Sequence, residues 1–536
     1  MAMAAREPQQ ELLVENYVTA RMAELGNRDQ EALKTYLKLH KLAPDSETLS
    51  DRLFASAIRA GDMASAVRAV RALELKKSST AEGPLLLFSD AFKARNWAMA
   101  ALAADQLESE GSNLAFMAPI LRAWIAVAQG KSFDLPTPDP KTQPILAYYA
   151  ADQKVYLDLA AKNYATAKPY LRAFALNNVD FGKDMLIRAA PVYAALGDSD
   201  FANSIMNIAA GDDYSSLLAK VKSRDPVATL SPEEGLAMLF SRIAGTMVEQ
   251  NNSEQGLVFA RIAQWLAPTN GAVQLTLADA LDLQGLSESA DSFRSAIAPV
   301  SPYWPRAIAD RLTQYAARDR MDAAVKLAAE ASRLKPSSTE MALLLARYQG
   351  AAGDHVAAIA AFRKLVQYAD DARLGGAPRA SYRLLLATEL DNAGDWPGAK
   401  KVLEEASKLD PGNPSVLNYL GYGLLERGED IAIASGLIQR AFNLAPQSVA
   451  IIDSMGWAKF HQRQYGEAID YLEKAARAIG ADATINEHLG DAYWRAGRKI
   501  DARYAWRVAA HAAGDADAAR IAMKLDTGLP DISSDQ

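Results

Sequence analysis

Residues 487–498, EHLGDAYWRAGR, bring Glu487, His488 and Asp491 into five positions beside Tyr493 and Trp494. Two readings compete: a catalytic cluster, or one face of a helix. Helical geometry separates them. Asn486, Leu489, Gly490 and Tyr493 fall at i, i+3, i+4 and i+7 and form one stripe. Glu487, Asp491 and Trp494 fall at i, i+4 and i+7, one residue round on the adjoining face. Adjacent residues such as Glu487 and His488 diverge by about 100° on a helix, so no acid–histidine pair is legible here. The stretch reads as a helix surface.

The same stripe recurs upstream. DSMGWAKFHQRQ (453–464) lies 34 residues before it and NYLGYGLLERGE (418–429) a further 35. Pro268, Pro302 and Pro336 are spaced by 34, and Pro411 and Pro446 by 35, with Gly480 and Gly514 following at steps of 34. Ala290, Ala324 and Ala358, then Ala399, Ala434, Ala468 and Ala502, keep nearly the same step, as do Ala32, Ala66 and Ala100 and later Ala167 and Ala202. A fixed period of this length means one supersecondary unit stacked on copies of itself. Each unit holds two helices, with Gly61-Asp62, Gly353-Asp354, Gly394-Asp395 or Gly497-Arg498 as the stop between them and a proline just past the second. Gly421, Gly456 and Gly490 on first helices, facing the repeated alanines, are expected where helices approach closely; a larger side chain there would overpack by about 1–3 kcal/mol.

These residues resemble the tetratricopeptide repeat. Its pattern W-x2-L-G-x2-Y, then Ala, an aromatic, Ala and Pro, is met by Leu489, Gly490, Tyr493, Ala502, Trp506 and Ala509, with Asn486 at the tryptophan position and Gly514 at the proline position. The preceding units contribute Met455, Gly456, Ala468 and Ala475, with Lys459 in place of the tyrosine, and Leu420, Gly421, Ala441 and Pro446. The likeness runs from about residue 268 to 514, with a weaker stretch at 11–72. It implies an all-α, right-handed superhelical solenoid of antiparallel helix pairs, about 13 of them, arranged in two halves.

Composition agrees with an all-helical reading: alanine and leucine abound, β-branched runs are scarce, and 50% of the 536 residues are apolar. A net charge of −7 speaks against a nucleic-acid surface, which needs clustered Lys and Arg. The absence of cysteine excludes disulfides, thiolate metal sites and a thiol nucleophile. No apolar run is long enough to span a bilayer. MAMAAREPQQ lacks the apolar core of a signal peptide, so the expectation is a cytoplasmic protein, or a periplasmic or envelope one whose leader has been removed.

Breaks in the period suggest the organisation. Residues 1–10 read as a disordered N-terminus, 11–210 as a degenerate N-terminal half, 211–235 as an irregular connector, 236–514 as the C-terminal array, and 515–536 as a capping segment with a tail that frays from Asp526. KSFDLPTPDPKTQP (131–144) is a loop or stiff spacer, and DDARLGGAPR (370–379) an insertion between units.

Tests for chemistry come out against it. Gly130-Lys131-Ser132 lacks the earlier glycine of a phosphate loop, since position 125 is Ile125, and no strand precedes it. His40, His355, His461, His488 and His511 show no metal-pair spacing. No nucleophile elbow or dinucleotide fingerprint occurs. The expectation is a non-enzyme with no catalytic residue, metal or cofactor.

In the family, the offsets of Glu487, Asp491 and Trp494 project into the concave groove. The resemblance therefore assigns the groove Asn418 and Tyr422, then Asp453, Trp457 and Phe460, then Glu487, Asp491 and Trp494. Acids and an amide can orient a backbone or basic side chain, and aromatic faces offer large burial area. The alternative is that Trp457 and Trp494 pack against neighbouring repeats. The clamp that chaperone-tail-binding members use for acidic tails is absent: its positions hold Asn418, Tyr422, Ser454, Thr484 and His488. The implied function is a scaffold that binds a partner protein or peptide. The C-terminal quarter is also similar to proteobacterial envelope adaptors, one type of which recruits a processing protease; a cytosolic co-chaperone or assembly factor, or a substrate-recruiting module of an enzyme complex, are the other readings.

Overall fold

The computed structural model describes residues 6–75, 78, 81–109, 113–137, 139–177, 183–210 and 230–530. Among them are 28 α-helices, one short 3-10 turn and no strand. The fold is an all-α superhelical repeat.

The last hairpin shows how the sequence makes each unit. Asp482 caps helix Ala483–Arg495 by accepting the Ile485 N–H at 2.9 Å. Gly497, at φ +83°, turns the chain into helix Lys499–Ala512. Gly456 and Gly490 lie where the two helices touch: a Cβ on Gly456 would fall 2.5 Å from Leu472 Cγ, and one on Gly490 would collide with the Trp506 indole. Every alanine of the ladder is buried, Ala434, Ala468 and Ala502 with no exposed surface. The close helix contact expected of these small residues is present.

The chain forms two compact units, Met1–Arg318 and Asp319–Gln536. In the first, helices Pro232–Glu249 and Ser253–Leu266 belong with the N-terminal helices, although the former begins only at the end of the 211–235 stretch and the latter follows it. Pro232–Glu249 packs on Ala118–Ala128 and Pro144–Ala160, where Gly235 sits against the Trp124 ring. Ser253–Leu266 packs on Glu47–Ala60, Met63–Leu75 and Gly83–Lys93. Arg261 donates to the Ile58 and Arg59 carbonyls (3.0 and 2.8 Å), and Lys93 to the Trp265 carbonyl (2.8 Å). The array thus turns back on itself, and one apolar core runs from Ala20 to Ala290. Most of the 211–235 stretch, residues 211–229, lies outside the described residues, as do residues 1–5 of the N-terminal stretch and residues 531–536 of the tail.

The second unit is a regular stack from Met321–Leu334 to Asp515–Thr527. The 370–379 insertion adds little loop; it lengthens the helices on either side, His355–Asp371 and Gly376–Asn392, to 17 residues each. Asp370 then ties them together through Arg379 (2.7 Å) and Arg383 (2.6 Å). The last helix continues to Thr527, and the Pro530 carbonyl accepts from Arg495 at 2.8 Å. Among the described residues no helix is long and apolar enough to cross a membrane.

Candidate peptide-binding groove

Three first helices of the second unit carry the residues assigned to the groove: Pro414–Glu426, Val449–His461 and Ala483–Arg495. Their centre is a layered stack. The Trp457 ring lies 4.0 Å from the His488 ring at 14°, and on its other neighbour, Phe460, at 4.6 Å and 7°. His461 meets Trp457 edge-on at 4.9 Å. The indole N–H donates to Glu426 Oε1 at 2.6 Å. Tyr422 stands beside the stack, 6.1 Å from His488.

His488 takes its acid from the previous unit. Its Nδ1 lies 3.0 Å from Asp453 Oδ1, and both side chains are buried. Burial by itself would lower the imidazole pKa, yet Asp453, with Glu426 and Asp491 behind it, raises it above the usual value. His461 goes the other way: burial lowers it, with His488 adding to the effect against Glu426. Burial, then Glu426 and Asp453, drives the Tyr422 hydroxyl far above the ordinary phenol range.

The two acids of the last unit are already engaged. Helix Asp515–Thr527 lies over them, and Lys524 Nζ reaches Glu487 Oε1 and Asp491 Oδ2, both at 2.6 Å. Arg520 pairs with Glu487 as well, and Asp491 Oδ1 accepts the Trp506 indole N–H at 2.8 Å. Burial lowers the Lys524 pKa against the opposing pull of Asp491.

The structure therefore sorts the eight assigned residues. Asp453, Trp457, Glu487 and Asp491 are buried. Asn418, Tyr422 and Phe460 are partly exposed, and Asn418 Oδ1 has no hydrogen-bond partner among the described residues. Trp494 stands apart from the stack, with Gly528 beneath its ring, Lys499 3.7 Å above it and Trp506 at 5.3 Å. Glu426, His461, Arg520 and Lys524 belong to the same surface but were not assigned from sequence. The first two were within reach: Glu426 follows Tyr422, and His461 follows Trp457, by four residues along the same stripe.

No family model matches the chain. A curated Pseudomonas aeruginosa protein described as TPR repeat-containing is 38% identical over 82 residues, which are 15% of this chain and 14% of that protein; the match spans a small part of the relative's length. Among solved structures, the Cut9–Hcn1 hetero-tetramer of the APC/C aligns at TM-score 0.39 and 14% identity, covering 96% of each chain. Yeast Tom70 aligns at TM-score 0.36 and 14% identity, covering 97% of this chain and 96% of that one. PilF of Pseudomonas aeruginosa gives 0.30 and 13%, covering 48% and 97%. With its 34-residue step and stacked helical hairpins, the chain has an all-α helical-repeat fold and is similar, over those 82 residues, to a protein described as tetratricopeptide repeat-containing.

Proposed function

We propose that the chain is a non-catalytic adaptor that holds a partner protein, or a segment of one, on the face shared by Pro414–Glu426, Val449–His461 and Ala483–Arg495. The supporting observation is the partly open surface at Asn418, Tyr422, Glu426 and Phe460. It offers the exposed Glu426 carboxylate together with the partly exposed rings of Tyr422 and Phe460, while the unpartnered Asn418 amide oxygen is itself buried. An extended segment can meet the Glu426 carboxylate with its own N–H groups or a basic side chain while covering Phe460 and Tyr422. Asp453, Trp457, Glu487 and Asp491 form the layer beneath, which fixes the geometry of that surface, and Trp494 anchors its end. Delivering a bound client to a processing enzyme or assembly complex is the form of this role that the sequence resemblance implies.

The test is affinity capture with the wild-type chain against Tyr422→Ser/Phe460→Ser, both checked for unchanged helicity. Loss of a specific partner from the variant supports the reading. A variant that stays folded and keeps every partner removes this face from the account.

A further inference from the structure

The first unit holds a buried cation with no acid of its own. Arg261 is 5% exposed. Its Nε and Nη2 are used up on the Ile58 and Arg59 carbonyls at the end of helix Glu47–Ala60. Its third nitrogen, Nη1, makes no hydrogen bond among the described residues. That nitrogen sits above Gly61, whose φ of +78° and missing side chain both matter: a Cβ there would lie 2.9 Å from Nη1. Burial lowers the Arg261 pKa to about 10, against a small opposing effect of Asp29, so the group is still charged at neutral pH.

Arg261 forms part of the wall of an open cavity of about 460 Å³ that Arg28, Arg59, Ser289, Ser292 and Phe293 also line. Two acids, Asp29 and Glu31, line the cavity as well, and both are spoken for. Asp29 pairs with Arg59 at 2.7 Å, and Glu31 with Arg28 at 2.8 Å. Three guanidinium groups against two carboxylates leave one positive charge in excess, and it belongs to the most buried of the three. Buried charges are ordinarily matched by a counter-charge, and a guanidinium fork suits the oxygens of a carboxylate or phosphate.

We propose that this cavity binds a small anion through Arg261, its carboxylate or phosphate oxygens meeting Nη1 beside the Ser289 hydroxyl; Ser292, whose hydroxyl donates to the Ser289 carbonyl at 2.6 Å, and Arg28, paired with Glu31, line the same cavity. Arg261 joins helix Ser253–Leu266 to helix Glu47–Ala60, about 200 residues earlier in sequence, so an anion that satisfies its remaining nitrogen stabilises the closed turn of the first unit.

Calorimetric titration of the full chain at low ionic strength, once with inorganic phosphate and once with succinate, tests this and separates the two sources of the anion. Saturable binding of either, weakened about tenfold or more by Arg261→Lys, is the expected result. Because Arg261 also holds two carbonyls, Ser292→Asp is the second variant: it places a carboxylate in the cavity, leaves those bonds intact, and is expected to abolish binding. Absence of saturable binding of both anions by the wild-type chain, or equal binding by wild type and Ser292→Asp, overturns the proposal.

Discussion

Trp457 lies flat against His488, their rings 4.0 Å apart, although the two residues belong to successive repeats. His488 is fixed in turn by Asp453, one residue more than a repeat step away in sequence. This stack links two successive repeats, and it carries a titration signature. Folding raises the His488 pKa, so the folded chain binds that proton more tightly than the unfolded chain. Its contribution to stability is full below an unfolded value of about 6.5 and is lost as pH rises through the folded value. His461, lowered by burial, behaves oppositely: its contribution is present above about 6.5 and is lost as pH falls through its lower folded value. In a chain carrying ¹³C-labelled histidine, assigned with His488→Asn and His461→Asn, NMR should find His488 titrating above His461. The reverse order would contradict the Asp453 pairing.

Burial of the Trp457 indole makes it a structural residue first. Trp457→Ala is expected to destabilise the second unit by about 3–5 kcal/mol, read from denaturant unfolding followed by circular dichroism. A cost under about 1 kcal/mol would mean that the ring is solvated, as a freely presented binding residue would be. Partner-binding tests therefore belong at Tyr422 and Phe460.

Gly490 and Gly456 test the helix contact directly. Gly490→Ala drives a methyl into the Trp506 ring and Gly456→Ala one into Leu472, and each should cost about 1–3 kcal/mol. Gly497→Ala, strained by its positive φ but with open space around it, should be milder. Thermal unfolding of the three variants provides the comparison; a Gly490→Ala protein as stable as wild type would rule out the close packing seen between these helices.

The period and the ladder made much of this visible in the sequence. Ala434, Ala468 and Ala502 are buried where the step of 34 or 35 puts them, because every hairpin repeats the same contact. The groove was legible only in part. Offsets along one helix identify which residues share a face, and Asp453, Trp457 and Phe460 do share one. They do not say what lies across from that face. Glu487 and Asp491 are buried because helix Asp515–Thr527 brings Lys524 over them, a contact that follows no repeat. Trp494 has the right offset, but Gly528, just after the last helix, lies against its ring. In the first unit the period hides the return of Ser253–Leu266 onto helices about 200 residues earlier, since a pattern of one-unit steps contains no information about how far the array winds.

The cover provided by the last helix has its own consequence. Lys524→Met leaves Glu487 and Asp491 buried without their main cation and should cost about 3–5 kcal/mol. The triple variant Lys524→Met/Glu487→Gln/Asp491→Asn should recover most of that loss, because no bare charge is left behind. Urea unfolding of the two proteins distinguishes them. Equal stabilities would show that the lysine acts through its aliphatic chain alone.

The most direct measurement on the central claim is site-specific photo-cross-linking in cells, with a benzophenone amino acid placed at Phe460 or, as an outer-face control, at the exposed Glu404. A partner-binding inner wall predicts a discrete cross-linked species from Phe460 and none from Glu404. No adduct at Phe460, or the same adducts from both positions, would contradict it.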